Sequence, residues 1–183
     1  MKTILNAEQI ERAIASVADQ IAGAQITRQA GQAASDNGLA IIGIRSRGEI
    51  IAQRLADRLS QKFRKSIPCG TLDITLYRDD LNAPHGGNQP QVRTTEIGFD
   101  IDGKTIILVD DVLYTGRSAR AAMDALIDLG RPKAIRLAVL VERAGRELPI
   151  QADYRGSKAE VRPEQSIQVN LVESDGKDEV VVE

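Results

Sequence analysis

The stretch IILVDDVLYTGRS, residues 106–118, decides the reading of this chain. Thr105 to Val109 reads as a buried strand that delivers two adjacent carboxylates, Asp110 and Asp111, to its carboxyl end. In open α/β sheets, ligands bind at that end. The polar loop Thr115, Gly116, Arg117 and Ser118 follows and opens a helix, whose unpaired N–H groups and dipole favour a phosphate. Gly116 lets the backbone approach an anion closely. Asp110 and Asp111 suit the vicinal hydroxyls of a ribose or a hydrated magnesium ion. An isolated Asp-Asp pair would read as a solvated strand end, and Thr115 or Ser118 alone as an ordinary helix cap. Crowded together behind one buried strand, these groups read instead as a site for a ribose 5-phosphate.

Working outward, strand and helix patterns alternate. Asn6 with Gln9 has the form of a capping box, and Ile10, Ala13, Ile14, Val17, Ala18 and Ile21 fall at helical spacing, so a helix is expected to open the chain. Leu39 to Ile44 predicts a strand, and Ile50, Ile51, Arg54, Leu55, Arg58 and Leu59 predict a helix. Thr71 to Tyr77 alternates and is rich in β-branched residues, which predicts another strand. Asp79 to Glu96 is polar and holds Pro84, Gly86, Gly87 and Pro90, a long loop of the kind that serves as a lid. Ala119, Ala122, Met123, Leu126 and Ile127 mark a helix closed by Gly130 and Pro132, and Ala134 to Val141 is a further strand. Beyond Pro149 the pattern weakens, leaving Ile167, Val169 and Leu171, and then Asp178 to Glu183, as edge or subdomain strands. The expected class is α/β: one domain over residues 1–183, with a mostly parallel sheet and helices on both faces.

Composition narrows the chemistry. With 24 Lys and Arg against 26 Asp and Glu in 183 residues, the net charge of −2 excludes a strongly basic polyanion binder. A hydrophobic fraction of 42% supports a core and argues against disorder. The aromatic residues are Phe63, Phe99, Tyr77, Tyr114 and Tyr154, too few for a base-stacking RNA platform. One histidine, His85, and one cysteine, Cys69, cannot assemble a thiol-histidine zinc site, so any metal should be oxygen-liganded. His85 reads as a solvated loop residue and Cys69 as packing. A cytoplasmic, soluble protein is expected: there is no signal-peptide pattern, no internal disulfide is possible, and no apolar run approaches the ~20 residues of a membrane span. Gly43 and Gly48 have the spacing of a P-loop, but Glu49 stands where its lysine belongs, and no G-x-G-x-x-G follows a strand.

VDDVLYTGRS, residues 109–118, closely resembles the phosphoribosyl pyrophosphate signature of the type I phosphoribosyltransferases. Together with IGIRSRG (42–48), LDITLYRDDL (72–81) and ELPIQADYRG (147–156), it is similar to the PyrR family of pyrimidine operon attenuators that are also uracil phosphoribosyltransferases. The resemblance covers nearly the whole chain and implies the family fold, with a mobile loop and a small hood region. It also implies uracil and magnesium phosphoribosyl pyrophosphate as substrates, and UMP, UTP and a leader RNA as further ligands. Homodimers or larger assemblies are usual in the family. By this resemblance, Asp110 and Asp111 hold the ribose, with magnesium brought by the substrate. Val112, Leu113 and Tyr114 belong to the same phosphoribosyl pyrophosphate site, and Thr115, Gly116, Arg117 and Ser118 cradle the 5-phosphate. Arg45, Ser46, Arg47 and Gly48 take the pyrophosphate, and Arg78 closes over the leaving group. Leu113, Val141 and Glu142 fall where the family places parts of its base pocket. Displacement at the anomeric carbon should pass through an oxocarbenium-like state, with neutralisation of a departing polyanion as the main task.

The match departs where the family contacts RNA. Ala15, Ser16 and Asp19 stand where RNA-binding members carry threonine, arginine and histidine, and Gly145 replaces the histidine of an RGHREL block that here reads Arg143 to Leu148. In a later GKNIPT block only Gly156 keeps register, before Ser157, Lys158, Ala159, Glu160 and Val161. Residues 1–40 hold Lys2, Arg12 and Arg28 against Glu8, Glu11, Asp19 and Asp36, which is no phosphate-tracking face. The expectation is an enzyme whose RNA-contact positions are lost.

Overall fold

The computed structural model describes residues 2–29, 38–79 and 92–183, with 26–29 described by their backbone alone. In chain order these form β1 (Lys2–Asn6), α1 (Ala7–Gln29), β2 (Leu39–Ile44), α2 (Arg47–Phe63), β3 (Cys69–Leu72) and a 3-10 turn (Thr75–Tyr77). Then come β4 (Thr105–Leu113), α3 (Arg117–Leu129), β5 (Ala134–Arg143), β6 (Tyr154–Ala159), β7 (Ile167–Asn170), α4 (Val172–Asp175) and β8 (Glu179–Val182). Most of the expected loop, including His85, lies outside the described residues.

Five parallel strands run in the order β3-β2-β4-β5-β6. The alternation of side chains along β2 and β4 divides the core. Ile41, Ile107 and Val109 face α1 and α2, whereas Ala40, Ile42, Ile106 and Leu108 face α3. All seven are completely buried, and each of the large ones contributes roughly 1.5–3 kcal/mol of transfer free energy. The chain runs from β2 outward to β3, then returns to β4 on the other side of β2. This reversal opens a crevice between the carboxyl ends of β2 and β4, the usual ligand position in such sheets.

Helix α1 is capped as its sequence predicts: Asn6 N–H donates to Gln9 Oε1 at 2.8 Å and Gln9 N–H to Asn6 Oδ1 at 2.9 Å. The P-loop-like glycines serve close packing. A Cβ on Gly43 would stand 2.4 Å from Glu49 Cα, and one on Gly48 2.6 Å from the Val109 carbonyl, so only glycine lets α2 start this close to β2 and β4.

Four sequence expectations need correction. A strand, β1, precedes the first helix, because Lys2–Asn6 pairs with β8 at the far end of the chain. Residues 179–182 are central rather than an edge, in a three-stranded antiparallel sheet ordered β1-β8-β7 whose Val169 and Val180 join the core of α1 and α2. The Thr71–Tyr77 strand stops at Leu72, since the Asp73 carboxylate accepts from Thr75 N–H (3.2 Å) and Thr75 Oγ1 (2.6 Å) and bends the chain into a turn. Finally, β6 carries too few apolar residues to show a pattern. It packs through Gly156, where a Cβ would meet that of Ala13 at 2.8 Å.

Candidate active site

The crevice holds a cavity of about 280 Å³ lined by the ends of β2, β3 and β4, by the 3-10 turn and by the first turn of α3. Arg45 and Ser46 come from the β2–α2 connection and Arg47 from the start of α2, Asp73, Thr75 and Arg78 from the far wall, Asp110, Asp111 and Val112 from β4, and Ser118 from the first turn of α3. Carboxylates and cations therefore face one another across a single space. An open-chain reading predicts this only in part, because the three segments are brought together by the sheet order alone.

Asp110 and Asp111 sit within β4, which runs on to Leu113 rather than ending at the acids. Asp111 N–H donates to Asp110 Oδ1 at 3.0 Å and Val112 N–H to Asp111 Oδ1 at 2.8 Å, so each carboxylate is fixed by the next amide. Burial and the adjacent Asp111 charge push the Asp110 carboxyl well above its ordinary value of 3.8. A carboxylate held at such a cost, in a crevice, is a functional signature. Its oxygens can accept hydrogen bonds from ribose hydroxyls or, as hard ligands, suit a magnesium ion brought by an anion. Among the described residues no group of three or more His, Cys, Asp or Glu is placed to hold a metal by itself.

The loop behind the acids turns at Gly116, whose φ of 93° is in the left-handed region, and Arg117 N–H lies 3.3 Å from Thr115 Oγ1. Its carbonyls are taken from outside: Glu147 and Leu148 N–H donate to Thr115 O at 3.0 and 3.1 Å, and Arg146 donates to Tyr114 O. Arg117 N–H is taken by Thr115 Oγ1 and Arg120 N–H by Gly116 O, so the Ser118 and Ala119 N–H groups are the helix-start donors that suit an anion. The Arg117 guanidinium points away from the cavity to Asp79 (2.7 Å) and Glu147 (2.7 Å).

On the opposite side, the Arg45–Ser46 peptide is cis. Arg45 donates to Thr94 O (2.8 Å), Thr71 Oγ1 (3.1 Å) and Glu96 (3.1 Å), and pairs with Glu49 (3.1 Å). Arg47 donates to Val169 O and Asp175, both at 2.9 Å, joining the cavity wall to the small sheet. Gly48 lies behind the wall, against Val109. Leu113 and Val141, expected together near a base, lie in different core clusters on opposite sheet faces. Glu142 accepts from Arg146 (2.9 Å) and Arg155 (3.1 Å).

Sequence reasoning passed over Asp73. Burial works against its ionisation, but the hydroxyl and amide of Thr75, the Arg93 N–H at 2.6 Å and the Arg45 charge together hold it below its ordinary value. An acid directly after the apolar end of a strand was the available signal, the same one that marks Asp110.

A parallel sheet that offers an acidic pair and an anion loop on one side of a switch-point crevice, and arginines on the other, is the framework of a phosphoribosyl-transferring protein. A family model described as phosphoribosyl transferase domain matches residues 1–174, and the chain belongs to that family. Its relatives include proteins named "Bifunctional protein PyrR". That of Deinococcus deserti is 51% identical over 97% of this chain and 92% of its own length. That of Bacillus cereus is 49% identical over 98% and 95%. The PyrR resemblance read from the residues is thus borne out. Among solved structures, the hypoxanthine phosphoribosyltransferase of Trypanosoma cruzi shares the fold at a TM-score of 0.68 and 18% identity, covering 100% of this chain and 95% of that one. The purine phosphoribosyltransferase of Pyrococcus horikoshii does so at a TM-score of 0.61 and 24% identity, covering 93% and 97%.

Proposed function

We propose that this protein transfers the phosphoribosyl group of magnesium phosphoribosyl pyrophosphate to uracil, forming uridine monophosphate and pyrophosphate. The observation that carries the reading is the single cavity in which Asp110, Asp111 and Ser118 face Arg45, Arg47 and Arg78. The acidic pair accepts from the ribose hydroxyls, and the N–H groups at the start of α3 hold the 5-phosphate. Arg45 and Arg78, with the amides of Ser46 to Gly48, receive the diphosphate. Magnesium, arriving with the substrate, offsets negative charge on the diphosphate as it leaves.

No protein nucleophile is needed, because the attacking atom belongs to the base. What the chain supplies is alignment and electrostatics: the arginines oppose charge gathering on the leaving group, while the oxygens of Asp110 and Asp111 face the sugar ring, where positive charge develops. Uracil as acceptor rests on the resemblance to the PyrR family, and a cytoplasmic setting is proposed from the lone Cys69, which can form no internal disulfide.

A steady-state assay decides it. Uracil, hypoxanthine, guanine and orotate are offered together with magnesium and phosphoribosyl pyrophosphate. Uridine monophosphate is the expected product; turnover of another base would move the assignment within the family, and no turnover of any base would remove it.

A further inference from the structure

Arg78 enters the cavity from the short 3-10 turn, and both of its chain neighbours are held by helix α3. On one side, Tyr77 OH donates to Asp128 at 2.8 Å, and Arg120 donates to Tyr77 O at 3.0 Å. On the other, the Asp79 carboxylate receives Arg117 at 2.7 Å and lies 3.5 Å from Arg120. Arg117 is the first residue of α3, directly after Gly116 and next but one to the anion loop's Thr115; Ser118, which follows it, lines the cavity. Of these links between the arm that carries Arg78 and helix α3, only that of the Asp79 carboxylate reaches the first residue of the helix, next to the anion loop.

We propose that Asp79 is a positioning residue that ties the phosphate loop, through Arg117, to the arm carrying Arg78, so that both ends of the activated sugar are gripped in one register. This rests on the phosphoribosyl-transfer reading above. The ion pairs are unsuited to holding the fold together: the side chains of Arg117, Arg120 and Asp79 are 48%, 33% and 41% exposed. Exposed pairs contribute little to stability and are screened by salt. What the link spans is more telling, since it connects two cavity walls that belong to separate segments of the sheet. An error of about 1 Å in a group that grips the leaving diphosphate costs up to about 100-fold in rate.

The test uses the full chain. Asp79→Asn is compared with wild type by calorimetric titration of magnesium phosphoribosyl pyrophosphate, by steady-state turnover with uracil, and by melting temperature. The expected result is a kcat/KM for the sugar diphosphate lowered roughly 10- to 100-fold, an unchanged KM for uracil, and a melting temperature within about 2 °C of wild type. Arg117→Met should show a comparable loss, and the double variant should lose no more than the worse single, because both cut one link. Asp124→Asn breaks the other ion pair of Arg120, at 2.9 Å, without touching the arm, and should leave the rates unchanged. Wild-type affinity and turnover in Asp79→Asn, or losses that multiply in the double variant, would overturn the proposal. If wild type binds the sugar diphosphate but does not use uracil, the assigned base falls while the titration still decides the role of Asp79.

Discussion

Asp110 carries opposing demands at the residue scale. Burial raises its pKa, so the folded chain gives up free energy to ionise it at neutral pH. A carboxyl raised in the folded state lowers stability above its folded pKa, and this cost disappears as pH falls below the unfolded value of 3.8. Asp110→Asn should therefore raise the melting temperature at pH 7 by a few degrees while lowering turnover by about 100-fold or more. Calorimetry and the product assay on one preparation check both. The acid limb of the wild-type pH–rate profile should be missing from this variant's residual activity. Gly145 is a second such residue, with φ 111° and room for no Cβ: one there would stand 2.3 Å from Tyr114 Cε2. The Tyr114 ring is backed by Arg143, whose guanidinium carbon lies 4.0 Å from the ring centre. Gly145→Ala should cost about 2 kcal/mol from backbone strain and displaced packing, a fall of roughly 4–8 °C in melting temperature.

At the scale of elements, the small sheet is fastened to the large one by Arg54 of α2. It donates to Glu173, within α4, at 2.6 and 2.9 Å, and to Asp178, just before β8, at 2.8 and 2.9 Å. These hydrogen bonds hold both carboxyls below their ordinary values of 4.5 and 3.8. Depressed carboxyls contribute stability above the unfolded pKa and lose it as pH falls through the folded one. Arg54→Met should accordingly cost about 2–3 kcal/mol at pH 7, where it strands the Asp178 charge. The gap to wild type should close as the pH is lowered below about 4, which urea titrations across pH would show. Equal losses at pH 3 and pH 7 would mean that packing of the arginine stem, rather than charge, sets the effect.

At the scale of the whole molecule, the described cations of α1 and α2 are paired with carboxylates. Along α1 and α2, Arg12 pairs with Glu8 (2.9 Å), Lys62 with Asp19 (2.6 Å), Arg58 with Glu11 and Arg47 with Asp175 (2.9 Å). Asp19, which the family resemblance aligns with a histidine of RNA-binding members, is here the partner of a lysine. Release of counterions from RNA needs unpaired cations facing its phosphates. Gel-shift titrations should give weak binding with no preference for a pyrimidine leader over scrambled RNA, and a log–log salt slope shallower than about −3. A steep slope with leader preference would restore the attenuator role.

What the sequence determined by itself was local in origin. The apolar runs and their spacing specify β2, β4, β5, α2 and α3. The Asn6–Gln9 reciprocity specifies the start of α1, and VDDVLYTGRS specifies an acidic pair with an anion loop, because each depends on residues a few positions apart. Tertiary structure decided the rest. Whether Lys2–Asn6 becomes a strand depends on a partner almost the whole chain away, and β6 depends on Gly156 fitting against Ala13. The membership of Asp73 in the site, and the turning of Arg117 toward Asp79 instead of the cavity, follow from which strand ends the sheet order sets side by side. Short-range hydrogen bonding and periodicity are written in neighbouring residues, whereas the meeting of distant carboxylates and arginines is fixed only when the hydrophobic faces have chosen their partners.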